Sequence, residues 1–279
     1  MPEPPTLPPI ADQPISLVLA AYNDAAYLEE VLDLWVQTLD GLNRAYEILL
    51  VDDASADSTA AKAESLAAKY PLLRVLRHET PCGIGAALRT GFGQARNPLL
   101  VYTTADRQYQ PADLGGLLRE IDKVHVTSGY RCWQPVPLAL RIAGFVYRIL
   151  ARVVFDLAPA SLPGWLGWRD HAYRWLCRAV FGLRLQDLKC FYVLCRREIL
   201  SQFPLQSDGP FVQTEILAKA NFLACLIAEE TPVTHVPRGD DGRPPNWWSE
   251  GWRVFTRPEF GAVAPAPADS TGVAEVSGC

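Results

Sequence analysis

Short apolar runs alternate with longer stretches of helical periodicity along the first half of the chain. Ile15–Ala21, Glu47–Asp52, Leu73–His78 and Leu99–Thr103 are compact and β-branched or leucine-rich, the pattern of strands buried on both faces of a parallel sheet. Between and after them, Ala26–Leu39, Asp57–Lys69, Ile84–Arg96 and Pro111–Lys123 repeat their apolar positions at helical spacing. Ser55 or Asp57 is placed to cap the second of these helices, and Pro111 suits a first helical turn. The alternation predicts an α/β fold, a mostly parallel sheet wound through right-handed crossovers and flanked by helices. Such sheets take ligands beyond the carboxyl ends of their strands. Polar clusters fall there three times: Tyr22-Asn23-Asp24 after the first strand, Asp52-Asp53 after the second, Asp106 after the fourth. One such acid alone reads as a solvated loop residue, but three clusters at one edge read as a nucleotide site.

The glycines of Gly83-Ile84-Gly85 and Gly91 follow the third strand rather than the first. A dinucleotide fingerprint belongs on the first strand-to-helix turn, so these glycines are expected to serve a tight turn and close packing. The chain has 279 residues, 49% hydrophobic and 20% charged, ample for a self-sufficient core. No apolar run approaches the length of a spanning helix, and Met1-Pro-Glu-Pro-Pro does not open a signal peptide, so a cytoplasmic protein is expected. The seven cysteines form no CxxC pair, which argues for core thiols rather than zinc ligands or a disulfide framework. Residues 1–13 and the stretch from about 260 onward, the end of a C-terminal extension from 241, read as disordered.

Charge changes the picture. The net charge of −5 divides into −7 for residues 1–130, +8 for 131–197 and −6 for 198–279. The middle band is rich in arginine, which points to a local anionic surface or a phosphate-bearing ligand rather than to nucleic acid. Within it, residues 147–157 and 173–183 agree at seven of eleven positions, so an amphipathic helix is written twice in the region 138–183. Phe145, Val146, Ile149, Leu150, Val153, Val154 and Leu157 form one face of the first copy, and Arg141, Arg148 and Arg152 lie together on another. With Trp165, Trp168 and Trp175 nearby, this is the composition of a helix lying in a lipid headgroup plane; packing on the sheet is the competing reading.

Several motifs stand in a fixed order: Ala21-Tyr22-Asn23-Asp24, Val51 to Thr59 (VDDASADST), Gly83 to Gly91 (GIGAALRTG), Thr104 to Gln108 (TADRQ) with Pro111, Gly129-Tyr130-Arg131, Asp187 to Cys190, and Thr234 to Arg238. Over Pro14 to Arg238 the chain resembles the family 2 glycosyltransferases of GT-A fold (Rossmann-like), specifically the polyprenyl-phosphate sugar transferases of the dolichol-phosphate mannosyltransferase type. The resemblance implies a metal-dependent, inverting transfer from a nucleotide sugar (a UDP- or GDP-sugar) to a polyprenyl phosphate, on the inner face of the membrane. It implies that Tyr22, Asp24 and Asp53 hold the nucleoside, with Asp53 at the base edge, and that Asp106 and Gln108 hold Mg²⁺ or Mn²⁺ against the donor diphosphate. Arg131 and Arg238 are then phosphate forks, with Asp106 the third catalytic residue; Arg89, Thr104, Arg141 and His235 complete the substrate-binding set. Two positions depart from the family: Thr104 stands where its first metal-motif aspartate belongs, and Pro81 replaces an asparagine. Transfer to a glycan, protein or small alcohol, or a degenerate membrane-associated scaffold, remain open alternatives, as does a homo-oligomer.

Overall fold

The computed structural model describes residues 7–132, 164–236, 247–261 and 274–276. Strands β1 (Ile15–Ala21), β2 (Tyr46–Asp52), β3 (Leu73–His78) and β4 (Leu99–Thr104) fall where the apolar runs place them. They are joined by β5 (Val126–Cys132), β6 (Val193–Arg196), β7 (Ile227–Thr234) and a short β8 (Ala274–Val276). The sheet order is β7-β5-β6-β4-β1-β2-β3-β8. Pairing is parallel except for β6, which runs antiparallel between β4 and β5. The order turns back on itself at β1, which lies between β2 and β4, and this reversal opens a crevice at the strands' carboxyl ends.

The strand pleat sorts the core into two layers. Ile15, Leu17, Leu19, Ile48, Leu50 and Val101 face helix α1 (Leu28–Gly41), α2 (Thr59–Lys69) and α4 (Leu114–Glu120). Their neighbours Val18, Ala20, Leu49, Val51 and Tyr102 face α3 (Ile84–Gln94) and the helices of the second half. Helix α1 shows why its segment folds so: Leu28, Val31, Leu32, Trp35 and Leu39 recur at helical spacing and are all buried. Pro111 opens a short 3₁₀ turn, Pro111–Asp113, that leads into α4. At the start of α2 Asp57 accepts from Thr59 N, the bond expected of a capping aspartate, and from Ala25 N, while Ser58 makes no side-chain capping bond.

The second half supplies α5 (Gly164–Phe181), the single turn α6 (Arg197–Leu200), α7 (Val212–Phe222) and α8 (Trp247–Thr256). Helix α7 is buried all round from Val212 to Ala220, which no periodicity announces. Its two charges answer one another: Lys219 Nζ sits 2.8 Å from Glu215 Oε1. Glu215 also accepts from Gln206 N and Ser207 N, both at 2.8 Å, and so fixes the loop before the helix.

Of the repeated amphipathic segment, 147–157 lies outside the described residues. The second copy belongs to α5, which packs on α7 through Tyr173 bonded to Thr214 (2.6 Å), with Cys177 and Arg174 buried. Its arginines therefore do not all share one solvated face. Residues 7–13, read from sequence as part of a disordered leader, are tied down: Asp122 accepts from Ile10 N and Ala11 N, and Arg196 reaches Pro8 O. Cys177, Cys190 and Cys195 are buried free thiols, whereas Cys82 is disulfide-bonded. Among the described residues no helix is long and apolar enough to cross a membrane.

Candidate active site

The carboxyl edge of the sheet holds two groups of polar residues. The first ties the loops after β1, β2 and β3 together. Asn23, in the left-handed region at φ 54°, accepts from Ala56 N through Oδ1 and donates its own N–H to Ser55 Oγ. Asp24 accepts from Tyr22 N, and its N–H donates to Thr59 Oγ1 (2.8 Å). Asp53, 2% exposed, accepts from Cys82 N and Gly83 N at 2.8 Å and stands 2.9 Å from His78 Nδ1. Asp53, His78 and Cys82 are metal-ligand residue types within 4.8 Å of one another. The disulfide at Cys82 leaves no thiolate for a cation, however, and both aspartate oxygens are already on protein N–H groups. The carboxylates of Asp24 and Asp53 are thus held in part by the chain's own N–H groups.

The glycine motif is a packing device, as its position in the sequence implies. A Cβ on Gly83 would lie 2.3 Å from Asp208 O, one on Gly85 2.1 Å from Ser207 O, and one on Gly91 2.4 Å from Val18 Cγ1. Gly83 itself adopts φ 103°, a conformation that favours glycine. Loop 204–209 can therefore lie directly on the start of α3, where Gly85 N donates to Asp208 O. Arg89 pairs with Asp208 Oδ1 at 2.6 Å and reaches Leu205 O, so this proposed substrate contact is engaged with the same loop.

The second group gathers where β4, β5 and β7 end. A tight turn with Arg107 at φ 62° brings Thr104, Asp106 and Gln108 together. Thr104 Oγ1 donates to Asp106 Oδ1 (2.6 Å), and Gln108 Nε2 donates to Asp106 Oδ2 (2.7 Å). Gln108 Oε1 lies 3.1 Å from His235 Nε2, which must be the protonated nitrogen of that pair. Tyr109, buried, packs its ring on His235 at 5.4 Å and on Tyr192 at 5.9 Å. Burial first, and the neighbouring Arg131 charge second, pull the His235 imidazole down to about 4, so it is neutral near pH 7.

Arg131 forms a bidentate pair with Asp187, Nε to Oδ2 at 2.6 Å and Nη2 to Oδ1 at 2.9 Å. Burial works against ionising either group, but the mutual contact prevails, holding Asp187 below its ordinary range and Arg131 firmly charged. Behind them Glu229 on β7 accepts from Asp187 N (2.7 Å) and Gln186 N. Burial raises Glu229 to about 7, partly offset by those two N–H groups. Glu229 is a residue that sequence reasoning missed, because Glu229-Glu230 in a strand looks like a solvated acidic pair. Arg141 and Arg238 lie outside the described residues.

One carboxylate, one amide and one neutral imidazole, linked through Gln108, make a donor set suited to a hard divalent cation. Thr104 adds a hydroxyl that orients Asp106 but no charge. The guanidinium of Arg131, paired with Asp187, lies near enough to this cluster for its charge to act on His235.

Residues 16–141 match the Glycosyl transferase family 2 profile. The chain is 36% identical over 107 residues to a dolichol-phosphate mannosyltransferase of Pyrococcus furiosus, covering 38% of this chain and 30% of that one. It is 28% identical over 227 residues to an undecaprenyl-phosphate mannosyltransferase of Micrococcus luteus, covering 79% and 83%. The first of its curated relatives are longer proteins, of which the chain spans between 30% and 53%. Among solved structures it resembles glucosyl-3-phosphoglycerate synthase of Mycobacterium tuberculosis in complex with Mn²⁺, UDP and glucosyl-3-phosphoglycerate. That likeness has a TM-score of 0.54 at 20% identity, over 82% of this chain and 74% of the other, and it shows a shared GT-A fold.

Proposed function

We propose that this chain, whose residues 16–141 match the Glycosyl transferase family 2 profile, transfers a sugar from a nucleoside-diphosphate sugar to a polyprenyl phosphate at the inner membrane surface. The observation that carries this reading is the adjacency of the Asp106–Gln108–His235 cluster to the Arg131–Asp187 pair at one sheet edge. Asp106, Gln108 and His235 would hold Mg²⁺ or Mn²⁺. A bound divalent cation there would neutralise the charge that builds on the departing nucleoside diphosphate. Arg131, fixed by Asp187, offers its guanidinium to a phosphate, and Arg238 is its proposed partner by sequence. Tyr22, Asp24 and Asp53 serve the nucleoside end through the backbone turns they hold, and Arg89 and Asp208 brace the same end from below.

The acceptor phosphate is already an anionic nucleophile. One of its oxygens attacks the anomeric carbon while the bond to the diphosphate oxygen breaks on the opposite face, inverting the centre. No proton needs removing, so positioning and charge neutralisation suffice. The test is transfer from a panel of UDP- and GDP-sugars to a short polyprenyl phosphate, with Mn²⁺ and with chelator. A lipid-linked sugar of inverted configuration, formed only with metal, is expected. Transfer to water-soluble acceptors alone, or none with any donor, would overturn the proposal.

A further inference from the structure

Away from the sheet edge, five aromatic side chains form a connected cluster where α5, α7 and α8 meet. Phe181 lies 6.4 Å from Phe222 and 6.2 Å from Phe255; Phe222 meets Phe260 at 6.2 Å, and Trp252 meets Phe255 at 6.1 Å. Rings in such mutual contact usually mark a buried core. Here Trp252 is 69% exposed, Phe222 57%, and Phe255 and Phe260 each 47%. A contiguous exposed aromatic surface of this kind marks an interaction site.

Its charge selects the partner. Arg178 and Arg184 flank Phe181 along the chain, and Arg257 follows Phe255, while Arg253 donates to Gln206 O. Glu250 is turned inward onto Gly209 N (2.8 Å), which leaves Glu259 as the outward carboxylate of the stretch 252–260. A second copy docked on the same face would set three arginines against three, which like-charge repulsion opposes. The chain's own segment 133–163 is equally unsuited, with three arginines and one aspartate. Exposed rings bordered by arginine fit a layer whose outer plane is anionic and whose interior is apolar.

We propose that this α5–α7–α8 aromatic face seats the protein on an anionic lipid surface. The inference rests on the membrane reading given above and assigns its contact surface. Helix α8 joins that surface to the donor side of the site. Glu250 grips Gly209, in the loop whose Asp208 O receives Gly85 N at the start of α3. Attachment along α8 thus lays the protein side-on, with the loop that shapes the donor pocket close to the headgroup plane.

The test is co-sedimentation of the full chain with phosphatidylcholine vesicles, with and without phosphatidylglycerol. Unmodified protein is expected to bind the anionic vesicles and to release in high salt. Trp252→Ser with Phe255→Ser should lose binding to both compositions. Arg184→Glu with Arg257→Glu should weaken anionic-vesicle binding by about tenfold or more. Both double variants should keep the thermal midpoint and the rate toward a short, water-soluble acceptor. Should no acceptor react, the functional proposal fails while the vesicle result still decides this one. Undiminished vesicle binding in the variants overturns it. So does a dimer of the unmodified chain, seen by light scattering, that the same substitutions dissolve.

Discussion

Two regions share one edge of the sheet and use the same residue types to opposite ends. In the loops after β1, β2 and β3, the carboxylate of Asp24 accepts from a backbone N–H of its own loop, and those of Asp53 and Asp57 accept from backbone N–H groups of neighbouring loops. After β4, β5 and β7, Asp106, Gln108, His235, Arg131 and Asp187 bond to one another through their side chains. A carboxylate on backbone amides fixes a turn, and giving up that bond unfolds local structure. A carboxylate on another side chain can exchange its partner for a ligand of like chemistry. Both regions mix the two kinds of donor, since Asp53 also meets His78 and Asp106 and Asp187 also accept backbone N–H groups, so the contrast is one of balance.

The widest test of that distinction is Asp187→Asn. It leaves Arg131 mostly buried without its counter-charge, which costs about 3–5 kcal/mol by analogy with broken buried pairs. Both the unfolding midpoint and transfer should fall, because Arg131 belongs to the fold and to the site. Next comes Asp106→Asn. Transfer should drop on the order of 10²–10³-fold with a smaller fall in the midpoint, since the amide oxygen still accepts from Thr104 while its NH₂ meets Gln108 Nε2. Unchanged Mn²⁺-dependent nucleotide binding would remove Asp106 from the site.

Asp53→Asn probes the opposite region. It sets an amide N–H against Gly83 N–H or Cys82 N–H, and leaving a buried donor unmatched costs roughly 1–3 kcal/mol. The midpoint should fall, and donor affinity in the protein that remains folded should hold. A selective loss of nucleotide affinity at constant stability would return Asp53 to the base edge.

The gentlest effect is a pH slope. Glu229 is raised in the folded protein to about 7 from its ordinary value of 4.5. Between those values the folded chain keeps a proton that the unfolded chain has released, so stability declines as pH rises. The slope is at most about 1.4 kcal/mol per pH unit. Urea melts at pH 5, 6 and 7 should show that decline, and Glu229→Gln should flatten the difference. A parallel decline in the variant would take Glu229 out of the network's proton balance.

How much of this the sequence discloses depends on the range of the interaction. The bounds of β1 and β3 are legible to the residue, because an apolar run between polar loops is a local signal. So is the packing role of Gly83 and Gly85, from their place after the third strand, while the grouping of Asp106 with Gln108 comes from the resemblance of Thr104–Gln108 to the family's motif. The pairing of Arg131 with Asp187 spans 56 residues and leaves no periodic trace. The same holds for Gln108 and His235, 127 residues apart. Helix α7 escapes for another reason: a helix buried on every side has no polar stripe to betray its period. The inward Arg174 likewise defeats the amphipathic reading of α5, since charge alone does not tell a solvated arginine from one held against Gln186 O.

The antiparallel strand β6, wedged between β4 and β5, sets the order in which this chain is able to assemble. As synthesis proceeds, β1 and β2 have both partners once residue 104 is made, but β4 keeps one bare edge until residues 193–196 arrive, and β3 keeps one until 274–276. β5 cannot shield it, because β5 pairs with β6 and β7 rather than with β4. The closing contacts are of long sequence separation and therefore slow to form. An unpaired strand edge waiting that long is a template for pairing with other chains. The nascent polypeptide thus passes through an aggregation-sensitive window about 90 residues long, and the side of the sheet that carries Arg131 forms only after it.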